Sequence, residues 1–215
     1  MIKTIYGRVF SVLMKKPFRL WGITLLGLFL TSLGSALSGA VPLIAVAIAL
    51  LMGLGINRVY LRGYRGEDIR VENLFDGFRQ DFGKKLAGSA WAELFKLLWG
   101  LIPIVGPIFT LIKGYAYSFV PYLLKENHDL GAMEAPRESE RMTKGYKSKM
   151  FWAEILIGLI IGVVFGILAA LSAIPYIGVL FIIIMILAAI VVMVLYPLYI
   201  GLVHAAFYEE IKNKK

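Results

Sequence analysis

Glu93, Lys96 and Lys113 are the ionisable groups best placed to do chemistry in this chain, because each stands among apolar neighbours in the stretch Trp91 to Tyr122, WAELFKLLWGLIPIVGPIFTLIKGYAYSFVPY. In hydrocarbon a charge costs at least about 2.5–3.5 kcal/mol unless it pairs, reaches water or snorkels. Glu93 and Lys96 are three residues apart, a spacing that shares one helix face and makes an ion pair feasible. Lys96 lies seven residues before Pro103, and Lys113 six after Pro107. Both ammonium groups are therefore expected about 10 Å below one turn, on adjacent antiparallel helices. Read as a site, the three residues make a polar pocket for an anionic lipid headgroup or a peptide, ringed by Tyr115 and Tyr117. The structural alternative is that both lysines snorkel outward and Glu93 is merely paired.

Other chemistries find little support. The chain has no cysteine, which excludes disulfides, thiolate metal sites and a cysteine nucleophile. Its two histidines are too few for an imidazole-rich metal centre. No Walker loop, zincin helix or nucleophile elbow is present, so no enzyme, no catalytic residue and no cofactor is expected. His204 precedes Glu209 by five residues, which does not align them on one helix face, and both read as interfacial residues.

The elements that must position the pocket follow from hydropathy and charge. At 59% hydrophobic residues and a mean hydropathy of +0.77, the chain is far more apolar than the roughly 45–50% of a soluble domain. This reads as one integral membrane domain, residues 1–215. Nucleic acid is not an expected partner despite the net charge of +9, because the cations follow a different pattern. Of 23 Lys and Arg, 21 fall in the segments 1–19, 58–85, 125–149 and 212–215, and the connections between these carry none near Ser38–Pro42, Ile102–Gly106 and Ser172–Tyr176. That is the positive-inside pattern for six spans with both termini cytoplasmic.

The expected fold is all-α: a polytopic membrane protein whose six transmembrane helices form three hairpins, with cytoplasmic interfacial helices. The spans are placed at about 20–38, 42–59, 85–101, 107–124, 151–173 and 175–199. The first is read as retained rather than as a cleaved signal peptide, and the third is slightly short for a core of about 30 Å. Gly34 with Ser38 and Ser35 with Gly39 form small-residue pairs at the first turn. Amphipathic stripes predict interfacial helices over 2–13 and 68–82, the second with Val71, Leu74, Phe75, Phe78 and Phe82 on one face. The polar segment Lys125 to Lys149 predicts a solvated helix with Glu140 paired to Lys144. Pro121 and Pro197 are expected to kink the fourth and sixth spans. Gly158, Gly162 and Gly166 recur at four-residue steps, which suits close helix packing within the chain or a homo-oligomer.

An internal repeat is visible in the same pieces. Ile102-Pro103-Ile104-Val105-Gly106 is echoed by Ile174-Pro175-Tyr176-Ile177-Gly178, and Trp91-Ala92-Glu93-Leu94 by Trp152-Ala153-Glu154-Ile155. A pseudo-threefold bundle of hairpins would explain both echoes.

Several motifs in order resemble the bacterial integral-membrane family catalogued as domain of unknown function nine-seven-five. They are Asn73-Leu74-Phe75-Asp76-Gly77-Phe78, the hairpin LLWGLIPIVGPIFTLIKGYAYSFVPYLL, Asp129-Leu130-Gly131-Ala132, and Glu134-Ala135 followed by Ser139, Met142 and Lys144-Gly145-Tyr146-Lys147. The closing Pro197 with Ala206-Phe207-Tyr208-Glu209 completes the match, which runs from about residue 70 to 211. The family is similar to the membrane domains that precede some glycerophosphodiester phosphodiesterases, whose catalytic domain has no counterpart here. The resemblance implies a protein of the bacterial cytoplasmic membrane and no catalytic residues. The expected function is binding of a lipid or peptide within the bilayer, in envelope stress or self-protection against a membrane-active peptide. The alternative is a small transporter or lipid translocator using the Glu93, Lys96 and Lys113 cluster.

Overall fold

Long apolar runs punctuated by proline, glycine and charge give an all-α fold. The computed structural model describes residues 2–15, 17–36, 41–79, 81–127 and 129–214. Among these lie nine α-helices and one 3-10 helix: α1 (Ile2–Lys15), α2 (Pro17–Ala36), α3 (Pro42–Arg65), the 3-10 helix (Val71–Gly77), α4 (Phe82–Gly100), α5 (Gly106–Ala116), α6 (Val120–Glu126), α7 (Glu134–Thr143), α8 (Lys147–Ser172) and α9 (Gly178–Lys212). Three antiparallel pairs pack as hairpins, α2 with α3, α4 with α5 and α8 with α9. The α3, α8 and α9 helices are each long and apolar enough to cross a membrane. A fourth crossing is available if Thr4–Lys15 and Phe18–Gly34, bent by 92°, act as one span. Several candidate spanning helices are the signature of a multi-pass membrane protein.

The core lies at the ends of the hairpins remote from their turns. Ile5 and Val9 of α1, Val59 and Tyr60 of α3, Phe119 just before α6, Tyr122 within it, and Leu198, Leu202, Phe207 and Ile211 of α9 are buried together there. The Tyr60 ring lies against Gly201, where a Cβ would meet it at 2.0 Å. Beyond this core α8 and α9 expose Leu159, Val163, Leu187 and Met193, an apolar surface suited to lipid.

The repeated turns are alike in structure. Gly106 and Gly178 donate to the carbonyls of Ile102 and Ile174 at 2.8 and 2.9 Å, and Val105 and Ile177 to those of Pro103 and Pro175 at 2.8 and 2.9 Å. Ile104 and Tyr176 occupy the same left-handed position, at φ 67° and 68°. The glycines close each turn because a side chain there would strike the carbonyl of Gly100 or Ser172. The second echo is out of register with the first, since Glu93 lies ten residues before Pro103 and Glu154 twenty-one before Pro175.

Four expectations are corrected. The stretch 68–82 is not an amphipathic α-helix. Residues Val71–Gly77 form a 3-10 helix that packs with its backbone directly against the backbone of α3: a Cβ on Gly55 would lie 1.8 Å from the Leu74 carbonyl oxygen, and one on Gly77 2.2 Å from that of Leu51. Only Leu74 of the expected stripe is buried, and Val71, Phe75, Phe78 and Phe82 are exposed. The expected span 107–124 is likewise two helices, broken at Tyr117 to Phe119, because α7 supplies hydrogen bonds to the broken backbone: Ser139 Oγ donates to the Ala116 carbonyl at 2.6 Å and accepts from the Phe119 N–H at 3.1 Å. Pro121 consequently opens α6, where its missing N–H costs nothing. The helix α7 is not simply solvated, since Ala135, Pro136, Ser139, Met142 and Thr143 are buried, and Glu140 pairs with Lys113 and Lys147 instead of Lys144. Finally, α9 starts at Gly178 rather than at Pro175, with Pro197 inside it.

The expected turn near Ser38 falls largely outside the described residues, as do the Ser38 and Gly39 partners of the small-residue pairs. Gly34 does meet Ile48 of α3 closely, with a Cβ position 2.8 Å from the side chain.

Candidate functional site

The α3 helix, α4, the α5–α6 break and α9 enclose a cavity of about 280 Å³. Its chemistry comes from Asn57 of α3, Ser89, Glu93 and Lys96 of α4, Tyr117 at the break and His204 of α9, among apolar liners such as Leu50 and Leu54. The small residues Gly53 and Ala92 leave the space open.

Glu93 and Lys96 form the ion pair that their spacing predicts, at 2.5 Å across one helical turn. Lys113 is not in that pair. Its ammonium binds Glu140 of α7 at 2.7 Å and stands 5.5 and 5.6 Å from the rings of Trp99 and Tyr117. The difference in depth explains this: α5 ends three residues after Lys113, so the lysine sits at the mouth of the hairpin, within reach of a polar helix. Tyr117 therefore touches both sides, lining the cavity with one part of its surface and facing Lys113 with another.

Tyr115 turns away from Lys96 and into a third group. Its hydroxyl donates to Glu154 Oε2 of α8 at 2.7 Å, and His204 Nε2 lies 2.6 Å from Glu154 Oε1. The Tyr115 and His204 rings meet edge to face at 6.3 Å. Below Glu154, the Ala153 carbonyl accepts hydrogen bonds from Tyr6 and Tyr199, both at 2.9 Å, which fixes α8 against α1 and α9. A carboxylate with a tyrosine on one oxygen and an imidazole on the other can store or pass a proton. His204 also lines the cavity, which places this group at its wall.

Of the five expected residues, the structure joins Glu93, Lys96 and Tyr117 around one cavity, with Lys113 behind Tyr117 and Tyr115 behind His204. Asn57, Glu140, Glu154 and His204 were not expected. Glu154 carried a signal, since it stands in the apolar run FWAEILIGLI and echoes Glu93. His204 carried none visible in spacing, for its partner is fifty residues away on another helix. The other histidine, His128, lies outside the described residues.

The family model described as protein of unknown function (DUF975) matches residues 101–215. The chain belongs to this family. The DUF975 region starts at the second hairpin's turn and runs through α5 to α9. It thus holds Lys113, Tyr115, Tyr117, Glu140, Glu154 and His204, whereas Asn57, Glu93 and Lys96 precede it. The motif Asn73 to Phe78 also precedes the matched residues. No curated protein and no solved structure matches the chain.

Proposed function

We propose that this chain is a non-enzymatic protein of the bacterial cytoplasmic membrane that binds the polar part of a lipid or an amphipathic peptide in the cavity beside α4. Its six apolar segments lie in the bilayer as three hairpins, with both termini cytoplasmic. The α4–α5 hairpin is the shortest: α5 has 11 residues, which is about 16 Å of helix against a core of about 30 Å, so the bilayer thins there or the hairpin stops partway. A physiological role in envelope stress or self-protection against a membrane-active peptide fits such binding.

The observation that carries this reading is a polar cavity of about 280 Å³ set among apolar helices, with a paired carboxylate and ammonium on its wall. An amphiphile brings a charged or zwitterionic group to that pair and leaves its chain along exposed Leu94, Leu97 and Leu98 of α4. Homo-oligomerisation belongs to the same proposal, because Gly162 and Gly166 face open space while Gly158 meets Tyr196. A second reading, proton-linked translocation of the same ligand, draws on the Tyr115, Glu154 and His204 group at the cavity wall.

Native mass spectrometry of protein extracted with its lipids tests the binding. A retained anionic lipid or peptide that is lost from Lys96→Ala supports it. Equal retention by Lys96→Ala, Glu93→Gln and the parent chain rejects it. Proteoliposomes separate the two readings: flux of ligand that dissipates with a proton gradient and fails in His204→Ala favours translocation.

A further inference from the structure

A second cavity, of about 360 Å³, lies on the other side of Pro121, at the end of α3 where Arg58, Arg62 and Arg65 recur at four- and three-residue steps. Lys125 of α6 faces them across it, and Glu67 and Glu126 are its acidic liners. Most of these charges are already engaged. Glu126 receives Arg65, Lys212 at 2.6 Å and the Tyr208 hydroxyl at 2.7 Å, while Glu67 holds Arg62 at 2.8 Å and Arg58 holds Asp76 at 2.8 Å. The Lys125 ammonium has no hydrogen-bond or ion-pair partner among the described residues, although the residue is half-buried. Arg58 and Lys125 also line a narrow crevice beside Lys85, which is 2% exposed and donates to the carbonyls of Asp76 and Arg79, both at 2.9 Å. Arg58, Arg79, Lys85 and Lys125 are thus gathered near two carboxylates, Asp76 and Asp81. Burial, and after it the Arg58 guanidinium, outweighs Asp76 and Asp81 and pulls the Lys125 ammonium below the ordinary lysine value.

We propose that this cavity binds a phosphoryl group at the inner face of the membrane, held by Lys125 and the free guanidinium edges of Arg58 and Arg62. Guanidinium forks match phosphate oxygens in pairs, and the ammonium supplies the point charge. A scattered positive-inside loop would leave its cations solvated, but here the three arginine side chains are each 28% exposed, walled by Pro121 and Tyr122. The group comes either from an anionic lipid of the inner leaflet or from a phosphorylated solute. Its placement at the inner face rests on the topology proposed above, whereas the phosphoryl chemistry does not.

Thermal unfolding of the full-length protein in neutral detergent tests this, with inorganic phosphate, a short-chain phosphatidylglycerol and the matching phosphatidylcholine as probes. Stabilisation by phosphatidylglycerol alone identifies a lipid headgroup, and stabilisation by inorganic phosphate as well identifies a soluble phosphoryl ligand. Lys125→Ala and Arg62→Gln each raise the half-saturating concentration roughly tenfold, and Lys125→Arg restores it. Lys125 anchors no other residue, so its removal leaves the fold intact. In a Lys96→Ala background the Lys125→Ala substitution still raises the half-saturating concentration, which separates this site from the bilayer cavity. The assignment is overturned if neither anionic probe stabilises, if Lys125→Ala responds like the parent, or if Lys96→Ala abolishes the response.

Discussion

Ser139 shows how one side chain decides local structure in this protein. It is fully buried, and its hydroxyl serves both the Ala116 carbonyl and the Phe119 N–H, the two backbone groups freed where α5 stops and α6 begins. Ser139→Ala leaves the Phe119 N–H without its partner and the Ala116 carbonyl with a long 3.5 Å hydrogen bond from the Thr143 hydroxyl, and should lower stability in detergent by about 1–3 kcal/mol, read from reversible unfolding. No measurable change would mean that the break is held by something else. Glu140 offers a second residue-scale test. Burial by itself would raise its carboxyl, but the Lys113 hydrogen bond and the charges of Lys113 and Lys147 outweigh that and hold it below 4.5. Glu126 has the same sign, with Lys212, Tyr208 and Arg65 prevailing over burial. Each folded carboxylate binds its proton more weakly than in the unfolded chain, so the stabilisation is complete above pH 4.5 and is lost as pH falls through the lower folded values. Unfolding should become easier on that acid side, and Glu140→Gln should flatten the dependence. An identical profile in the variant would remove the Lys113 pair from the account.

At the scale of elements, the turns were legible in the sequence and the way segments seat on one another was not. Pro103 and Pro175, each beside apolar residues with no charge nearby, mark hairpin turns, and the matched sequences around them give matched hydrogen bonds. The same sequences place a residue with a side chain at positive φ. Left-handed backbone costs an L-residue about 1–2 kcal/mol, and the Ile104 side chain is 94% exposed, so nothing packs there to offset it. Ile104→Gly should therefore stabilise the protein by about 0.5–1 kcal/mol once glycine's larger unfolded-state entropy is subtracted. A loss of stability would show that the isoleucine has a contact partner in the membrane. The Phe75, Phe78 and Phe82 spacing misled because helical periodicity is local, whereas the 3-10 helix is set by glycine backbones meeting across α3 and by Lys85 binding the carbonyls of Asp76 within it and Arg79 just beyond it. Gly55→Ala cannot be accommodated without moving Leu74, and a cost of about 1–3 kcal/mol or more is expected in the same unfolding assay.

For the whole molecule, hydropathy and the clustering of 21 cations in four segments carried the membrane class and the hairpin order. They could not carry the site, because Glu154 with His204 and Lys113 with Glu140 are contacts between segments that sequence spacing does not relate. The result is a bundle tied together at one end by buried aromatic and ionic contacts and apolar at the other, with a polar cavity between. Everything proposed for that cavity depends on which side of the membrane the turns face. The absence of cysteine makes a direct measurement possible: single substitutions Ile104→Cys, Tyr176→Cys and Lys144→Cys, probed in intact cells with a membrane-impermeant maleimide. Labelling at positions 104 and 176, with 144 protected until the cells are opened, is the result this topology predicts. Labelling at 144 in intact cells, with 104 and 176 protected, would contradict it.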